Sequence, residues 1–166
     1  MRRVVLVLLA VVVAGCGMRK VENIETPYVA SEYLPYAPPG SASIAATVAD
    51  RPFAGRAMTC AGMDVGLMPA TAYTRESVAI YRAGDLPSGA GSSGNKTLLQ
   101  SVIKKTTCDG TGHFAFDKLA AGTWIVGLDL HSSDSNTKTG TLFREVVVAP
   151  GEAATVTFAD ADFIPR

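Results

Sequence analysis

Short runs of alternating apolar and polar residues, separated by turns, dominate residues 41–166 and constrain the fold more than any other feature of the chain. The runs are Ile44, Ala46, Val48; Met63, Val65, Leu67; Val78, Ile80; Phe114, Phe116; Trp124, Val126, Leu128, Leu130; Val146, Val148; and Val156, Phe158. Strand side chains point alternately to opposite faces, so each run builds a strand with one buried face. Turn signals at Met68-Pro69-Ala70, Asp109-Gly110-Thr111-Gly112, Ala121-Gly122 and Pro150-Gly151 fall between them, at spacings mostly too short for crossover helices. The expected fold is therefore all-β, a single sandwich of about seven strands. Residues 97–107 fit least well, because Leu98, Leu99, Val102 and Ile103 also suit one or two helical turns. Residues 83–96, with Gly84, Gly89, Gly91, Gly94 and Pro87, read as a mobile surface loop. Such a loop serves as a ligand lid or partner contact in one reading and as a tolerated hairpin insertion in the plainer one.

The first residues have the layout of an export signal. Arg2 and Arg3 precede an apolar run from Val4 to Val13, and Ala14 and Gly15 lead to Cys16. The run is shorter than the ~20 residues a spanning helix needs, and Arg19 and Lys20 follow soon after it. Val13-Ala14-Gly15-Cys16 resembles the lipobox of bacterial lipoproteins. That resemblance implies cleavage after residue 15, acylation of Cys16 (palmitate or a similar chain), and a lipid-anchored protein of the bacterial cell envelope. Gly17 in place of Asp points to the outer membrane. Two or more acyl chains hold a protein stably where one does not.

Over the whole chain 15 Lys and Arg balance 15 Asp and Glu among 166 residues. Loss of Arg2 and Arg3 with the signal leaves a slight acidic excess, which gives no footprint for nucleic acid. Residues 16–40 carry Pro27, Pro35, Pro38 and Pro39 without a strand or helix period, and read as a lipidated cysteine followed by an extended, Pro-rich tether. Polyproline-like chain rises ~3.1 Å per residue, a reach of roughly 75 Å at full extension. Tyr28, Tyr33 and Tyr36 are unusual in a solvated linker and argue for partial packing on the domain.

The order Gly55, then Val65-x-Leu67-x-Pro69-x-Thr71-x-Tyr73, then Thr107-x-Asp109-x-x-Gly112-x-Phe114-x-Phe116-x-x-Leu119-x-Ala121-Gly122-Thr123-Trp124 resembles the carboxypeptidase regulatory-like domain. The likeness runs from about residue 42 to 159. Its physical basis is an Asp-Gly turn starting a hairpin, a core-facing Phe pair and a tight Ala-Gly return. It implies a prealbumin-like, Ig-like sandwich related to transthyretin and to collagen-adhesin stalk repeats, and a module accessory to catalysis elsewhere. There is no His-x-x-Glu for zinc, and residues 162–166 depart from the Tyr-Arg-Gly-Ser of the related transthyretin-like hydrolases. No enzyme activity and no cofactor are therefore expected.

With Cys16 assigned to lipid, Cys60 and Cys108 remain in an exported chain and are expected to form a disulfide. His113 falls on the outward phase of its strand and His131 at the end of another, so both read as surface residues. Asp134, Ser135, Asn136, Asp160 and Asp162 could offer oxygens to calcium, but their spacing fits no known site, and no metal is expected. Trp124 shares phase with Val126 and reads as core. A sugar-stacking row would instead need Tyr73, Tyr81 and Trp124 exposed together. The leading expectation is a non-catalytic protein-interaction or structural module, tied to the membrane through Cys16 and contacting an envelope protein. The alternative is a module binding envelope glycan or peptidoglycan. An exposed line of aromatics would favour glycan, and a flat apolar edge would favour protein.

Overall fold

The computed structural model describes residues 19–48, 51–53, 55–89, 96–134 and 138–165. The signal segment and Cys16 lie outside the described residues, as do Ser135, Asn136 and residues 90–95 of the glycine-rich loop.

Two sheets face each other across the main core. The smaller has three strands, β2 (Ala42–Thr47) at its centre between β8 (His113–Leu119), antiparallel, and β11 (Ala153–Val156), parallel. The larger has seven and is organised on β9 (Gly122–Ser132). One edge of β9 pairs with β10 (Lys138–Val148), which carries β12 (Phe163–Pro165). The other edge is shared between β5 (Asp64–Pro69), paired onward to β7 (Lys104–Thr107), and β4 (Arg56–Thr59), paired onward to β3 (Arg51–Phe53). Ile44, Ala46, Phe114, Phe116 and Val156 of the small sheet meet Val65, Leu67, Trp124, Val126, Leu128, Leu130 and Leu142 of the large one. The all-β sandwich read from the sequence is thus the fold, widened by short strands too brief to alternate. Burial of these aliphatic and aromatic side chains, at about 1.5–3 kcal/mol each, is the main force holding the sheets together.

Three expectations need correction. Val78 and Ile80 lie on helix α1 (Ala72–Arg82), not on a strand. Two positions on a helix are turned about 200° apart, and the two residues serve different clusters. Val78 packs with Ala70 and Ile125 on the outer face of the large sheet, and Ile80 packs with tyrosines beyond. Thr71 starts the helix: its hydroxyl accepts the Thr74 amide at 3.3 Å, while Thr74 Oγ1 accepts the Thr71 amide at 2.9 Å.

The Asp109 turn, secondly, does not start a hairpin. It carries the chain from β7 in the large sheet to β8 in the small one. Asp109 Oδ1 accepts the Thr111 amide at 2.8 Å and the His113 amide at 3.0 Å, and Gly112 takes a φ of +74°. The Thr111 hydroxyl, then the His113 and Thr111 amides, hold the Asp109 carboxyl below its ordinary range.

Thirdly, residues 19–40 are packed, not extended away from the domain. β1 (Val21–Asn23) pairs in parallel with β6 (Leu86–Ser88), a strand inside the segment read as a loop. A 3-10 helix, Ala30–Tyr36, follows. Tyr28 and Tyr33 are buried with Ile24, Tyr73, Ile80, Leu99 and Val102, the last two from helix α2 (Thr97–Val102). The reason is chemical: the tyrosines have both an apolar ring to bury and a hydroxyl to satisfy. Tyr33 Oη lies 2.7 Å from Thr71 Oγ1, Tyr28 Oη accepts the Leu99 amide, and Tyr36 Oη donates to the Thr123 carbonyl. Burial pushes the Tyr33 phenol above its usual range. This segment is a strap across α1.

Candidate functional site

The outer face of the large sheet is covered by α1 at one end and left concave at the other. Three cross-strand rungs of β5, β9 and β10 describe it. Met68, Ile125 and Glu145 form the rung under α1; Gly66, Gly127 and Phe143 form the next; Asp129 and Thr141 form the third, and Asp64, at the start of β5, also lines the concavity. In the middle rung two glycines sit side by side and remove the side chains from the sheet surface. The resulting groove has a volume of about 360 Å³, at the small end of the usual range for ligand pockets of roughly 300–1,000 Å³.

Its walls are apolar and its far end is polar. Tyr81 of α1 packs edge-on against Phe143 at 5.4 Å between ring centroids, and Met68 and Ile103 complete the apolar lining. Arg19 of the strap places its guanidinium 5.3 Å from the Tyr81 ring centre. Tyr81 Oη lies 3.3 Å from Thr141 Oγ1, which donates to Asp129 Oδ1 at 2.8 Å, while Lys138 Nζ donates to Asp129 Oδ2 at 3.0 Å. Asp64 Oδ1 accepts from the Thr107 hydroxyl at 3.4 Å. Carboxylates only accept hydrogen bonds. The groove therefore offers aromatic and apolar surface for a flat apolar face, beside acceptors suited to ligand hydroxyls.

A second concavity of about 240 Å³, between α1 and β10, is lined by Arg75, Arg82 and Arg144. Each arginine is engaged in structure. Arg75 makes a two-pronged pair with Glu145, at 2.9 and 3.0 Å, which raises its pKa. Arg82 donates to the carbonyls of Phe143 and Ala161, and Arg144 pairs with Asp162. These bonds clip α1 and the 3-10 turn Asp160–Asp162, which precedes β12, to the sheet.

The residues singled out in the sequence are dispersed. Cys60 and Cys108 form a disulfide with their Cα atoms 5.8 Å apart, joining the ends of β4 and β7. His113 is exposed beside Asp109, whereas the His131 ring is not a free surface group: its nitrogens lie 3.1 and 3.0 Å from the carbonyls of Ser132 and Ala61. Of the acidic residues weighed for calcium, Asp162 is buried and taken by Arg144 and the Ala159 amide. Among the described residues no group of three or more His, Cys, Asp or Glu could hold a metal ion. Trp124 is fully buried, as its phase with Val126 indicated, and Tyr73 nearly so, so these residues do not form the exposed row that the sugar-stacking alternative needed; Tyr81 alone of the three reaches the groove. The sequence reading missed Gly66, Gly127, Asp129, Thr141 and Phe143. The available signal was glycine at an outward position within two strand runs, a mark of close approach by another group.

No protein-family model and no curated protein matches this sequence. Among solved structures, the chain is similar to the crystal structure of a proposed carbohydrate binding protein from Pseudomonas aeruginosa. The two share 20% identity, and the match covers 78% of this chain and 94% of that chain with a TM-score of 0.58. At this identity the likeness establishes the fold, an all-β sandwich, and the fold alone.

Proposed function

We propose that the protein is a non-catalytic carbohydrate-binding module of a bacterial envelope lipoprotein, anchored in the outer membrane through Cys16, and that it takes a saccharide in the groove between α1 and β5, β9 and β10.

 The observation that carries the reading is the paired floor glycines, Gly66 and Gly127, flanked by the Tyr81 and Phe143 rings and by the Asp129 and Thr141 oxygens. An aromatic ring accepts the apolar face of a pyranose, and neighbouring carboxylate and hydroxyl oxygens accept its hydroxyl protons. The resemblance to a carboxypeptidase regulatory-like domain agrees with an accessory role. The carbohydrate-binding description of the P. aeruginosa structure supports the same ligand class.

The expected protein partner has less support. The β7 edge of the large sheet carries Lys104 and Lys105, and lysines on an edge strand oppose pairing with another chain. The β12 edge is three residues long. Neither of these two edges is the flat apolar edge that would favour protein; an exposed line formed by Tyr73, Tyr81 and Trp124 is absent as well, so the glycan reading stands on the groove and not on such a line.

The test is titration of the purified full chain with envelope saccharides, peptidoglycan fragments and lipopolysaccharide core sugars included, followed by amide chemical shifts. Perturbations should centre on Gly66, Tyr81, Gly127 and Asp129, and disappear in Gly66→Leu. Saturable shifts elsewhere, or none with any saccharide up to the solubility limit, would overturn the reading.

A further inference from the structure

We infer that the surface formed by Arg19, Lys20, Val21 and Leu86 lies against the bilayer to which Cys16 is tied, so that the domain is held at the membrane surface. The inference rests on the lipidation of Cys16 in the function proposed above, and deepens it by fixing where the groove stands.

Chain length is the first argument. The backbone is fixed to the domain from residue 20 onward. The Lys20 amide donates to Asp85 Oδ1 at 3.1 Å, and the Leu86 amide donates to the Lys20 carbonyl at 2.7 Å. The Ile24 amide donates to the Ser88 carbonyl at 2.9 Å, and both oxygens of Glu76 accept amides of the strap, from Glu25 and Thr26. Cys16 precedes Lys20 by four residues. A fully extended chain covers at most about 3.5 Å per residue, so Lys20 lies within roughly 14 Å of the acylated cysteine. The headgroup layer on each side of a bilayer is itself roughly 5–8 Å thick. The difference leaves Lys20 at most roughly 6–9 Å beyond the headgroups, about one Debye length at physiological salt, close enough for the charges and apolar side chains of this surface to engage the membrane.

The chemistry of the surface is the second argument. Val21 and Leu86 are register partners in the β1–β6 ribbon, and both are exposed, at 71% and 40%. Exposed Arg19 and Lys20 adjoin them. An apolar pair flanked by cations suits the boundary between acyl chains and anionic headgroups. Because Arg19 also stacks on Tyr81, the membrane-facing surface reaches the groove wall. A saccharide in the groove would then be one displayed close to the bilayer.

Trp124 is the sole tryptophan and is buried, so a second indole on this surface reports its surroundings separately. The full lipidated chain carrying Leu86→Trp is placed in vesicles of phosphatidylethanolamine and phosphatidylglycerol containing a lipid with a nitroxide headgroup. Val21→Trp gives an independent reporter from the opposite strand. The nitroxide should quench either new indole severalfold, and a long Gly/Ser insert between Met18 and Arg19 should abolish the quenching. Vesicle flotation accompanies each measurement. A chain that floats without quenching overturns this inference and leaves the anchor intact; a chain that does not float overturns the anchor, and this inference falls with it.

Discussion

Gly66 and Gly127 lie side by side on the groove floor, yet a side chain would have different consequences at each. A Cβ on Gly127 would come within 2.7 Å of the Phe143 ring, so that ring would have to move. A Cβ on Gly66 would meet only the Gly127 carbonyl oxygen, at 3.8 Å, which is ordinary contact. Gly66 also lies outside the set of residues with positive φ, so the backbone there accepts any side chain. Gly66→Leu should therefore fill the groove while leaving the sheet intact, and a strand residue better than glycine should hold or slightly raise the melting temperature. The expected outcome is loss of saccharide binding with an unchanged fold by circular dichroism. Retained binding in a folded Gly66→Leu protein would place the ligand elsewhere.

At the scale of elements, the sequence disclosed the long strands and concealed the pieces that shape the site. β8 and β9 were legible because Phe114, Phe116, Trp124, Val126, Leu128 and Leu130 each face one core from one strand. α1 was not, because it is covered on two sides, by the sheet and by the strap, and its Val78 and Ile80 mimic a strand's alternation. Its cap, Thr71 with Thr74, lacks the Glu or Gln that usually marks a capping box. The strap was half legible: its tyrosines announced packing, but not the surface they would find. Glu76 holds that strap. The Thr26 hydroxyl, then the Glu25 and Thr26 amides, lower the Glu76 pKa, and a carboxyl with a lowered folded value binds its proton more readily when released. Its contribution is complete above the unfolded value of about 4.3 and is lost as pH falls through the lower folded value. Protection of the Glu25 and Thr26 amides, measured against their intrinsic exchange rates, should therefore fall below about pH 4, and Glu76→Gln should show the reduced protection already at neutral pH. Exchange in Glu76→Gln equal to wild type would deny Glu76 this role.

At the scale of the whole molecule, the sandwich is stapled by a disulfide, and the proposed anchor at Cys16 is separable from it. The Cys60–Cys108 bridge closes a loop of 48 residues, for which chain-entropy arithmetic gives roughly 4 kcal/mol. Replacing both cysteines by serine should lower the melting temperature by roughly 8–16 °C, taking about 2–4 °C per kcal/mol for a domain near this size; no change on calorimetry would mean that the bridge contributes nothing. Cys16, in the function proposed above, acts on a different property. The groove is built by residues between Asp64 and Phe143, and mutations without shared contacts act additively. Cys16→Ser should therefore leave saccharide affinity in solution within about twofold while moving the full chain from the detergent-rich to the aqueous phase on detergent partitioning. In intact cells the same variant should lose its crosslinks to membrane-proximal neighbours, because in the proposed function the acyl chains on Cys16 are what keep the domain at the membrane. If it partitions into detergent as the wild type does, the apolar pair at Val21 and Leu86 or an uncleaved signal carries the attachment. Acylation of Cys16 would then be dispensable for location, although the groove and its ligand would be unaffected.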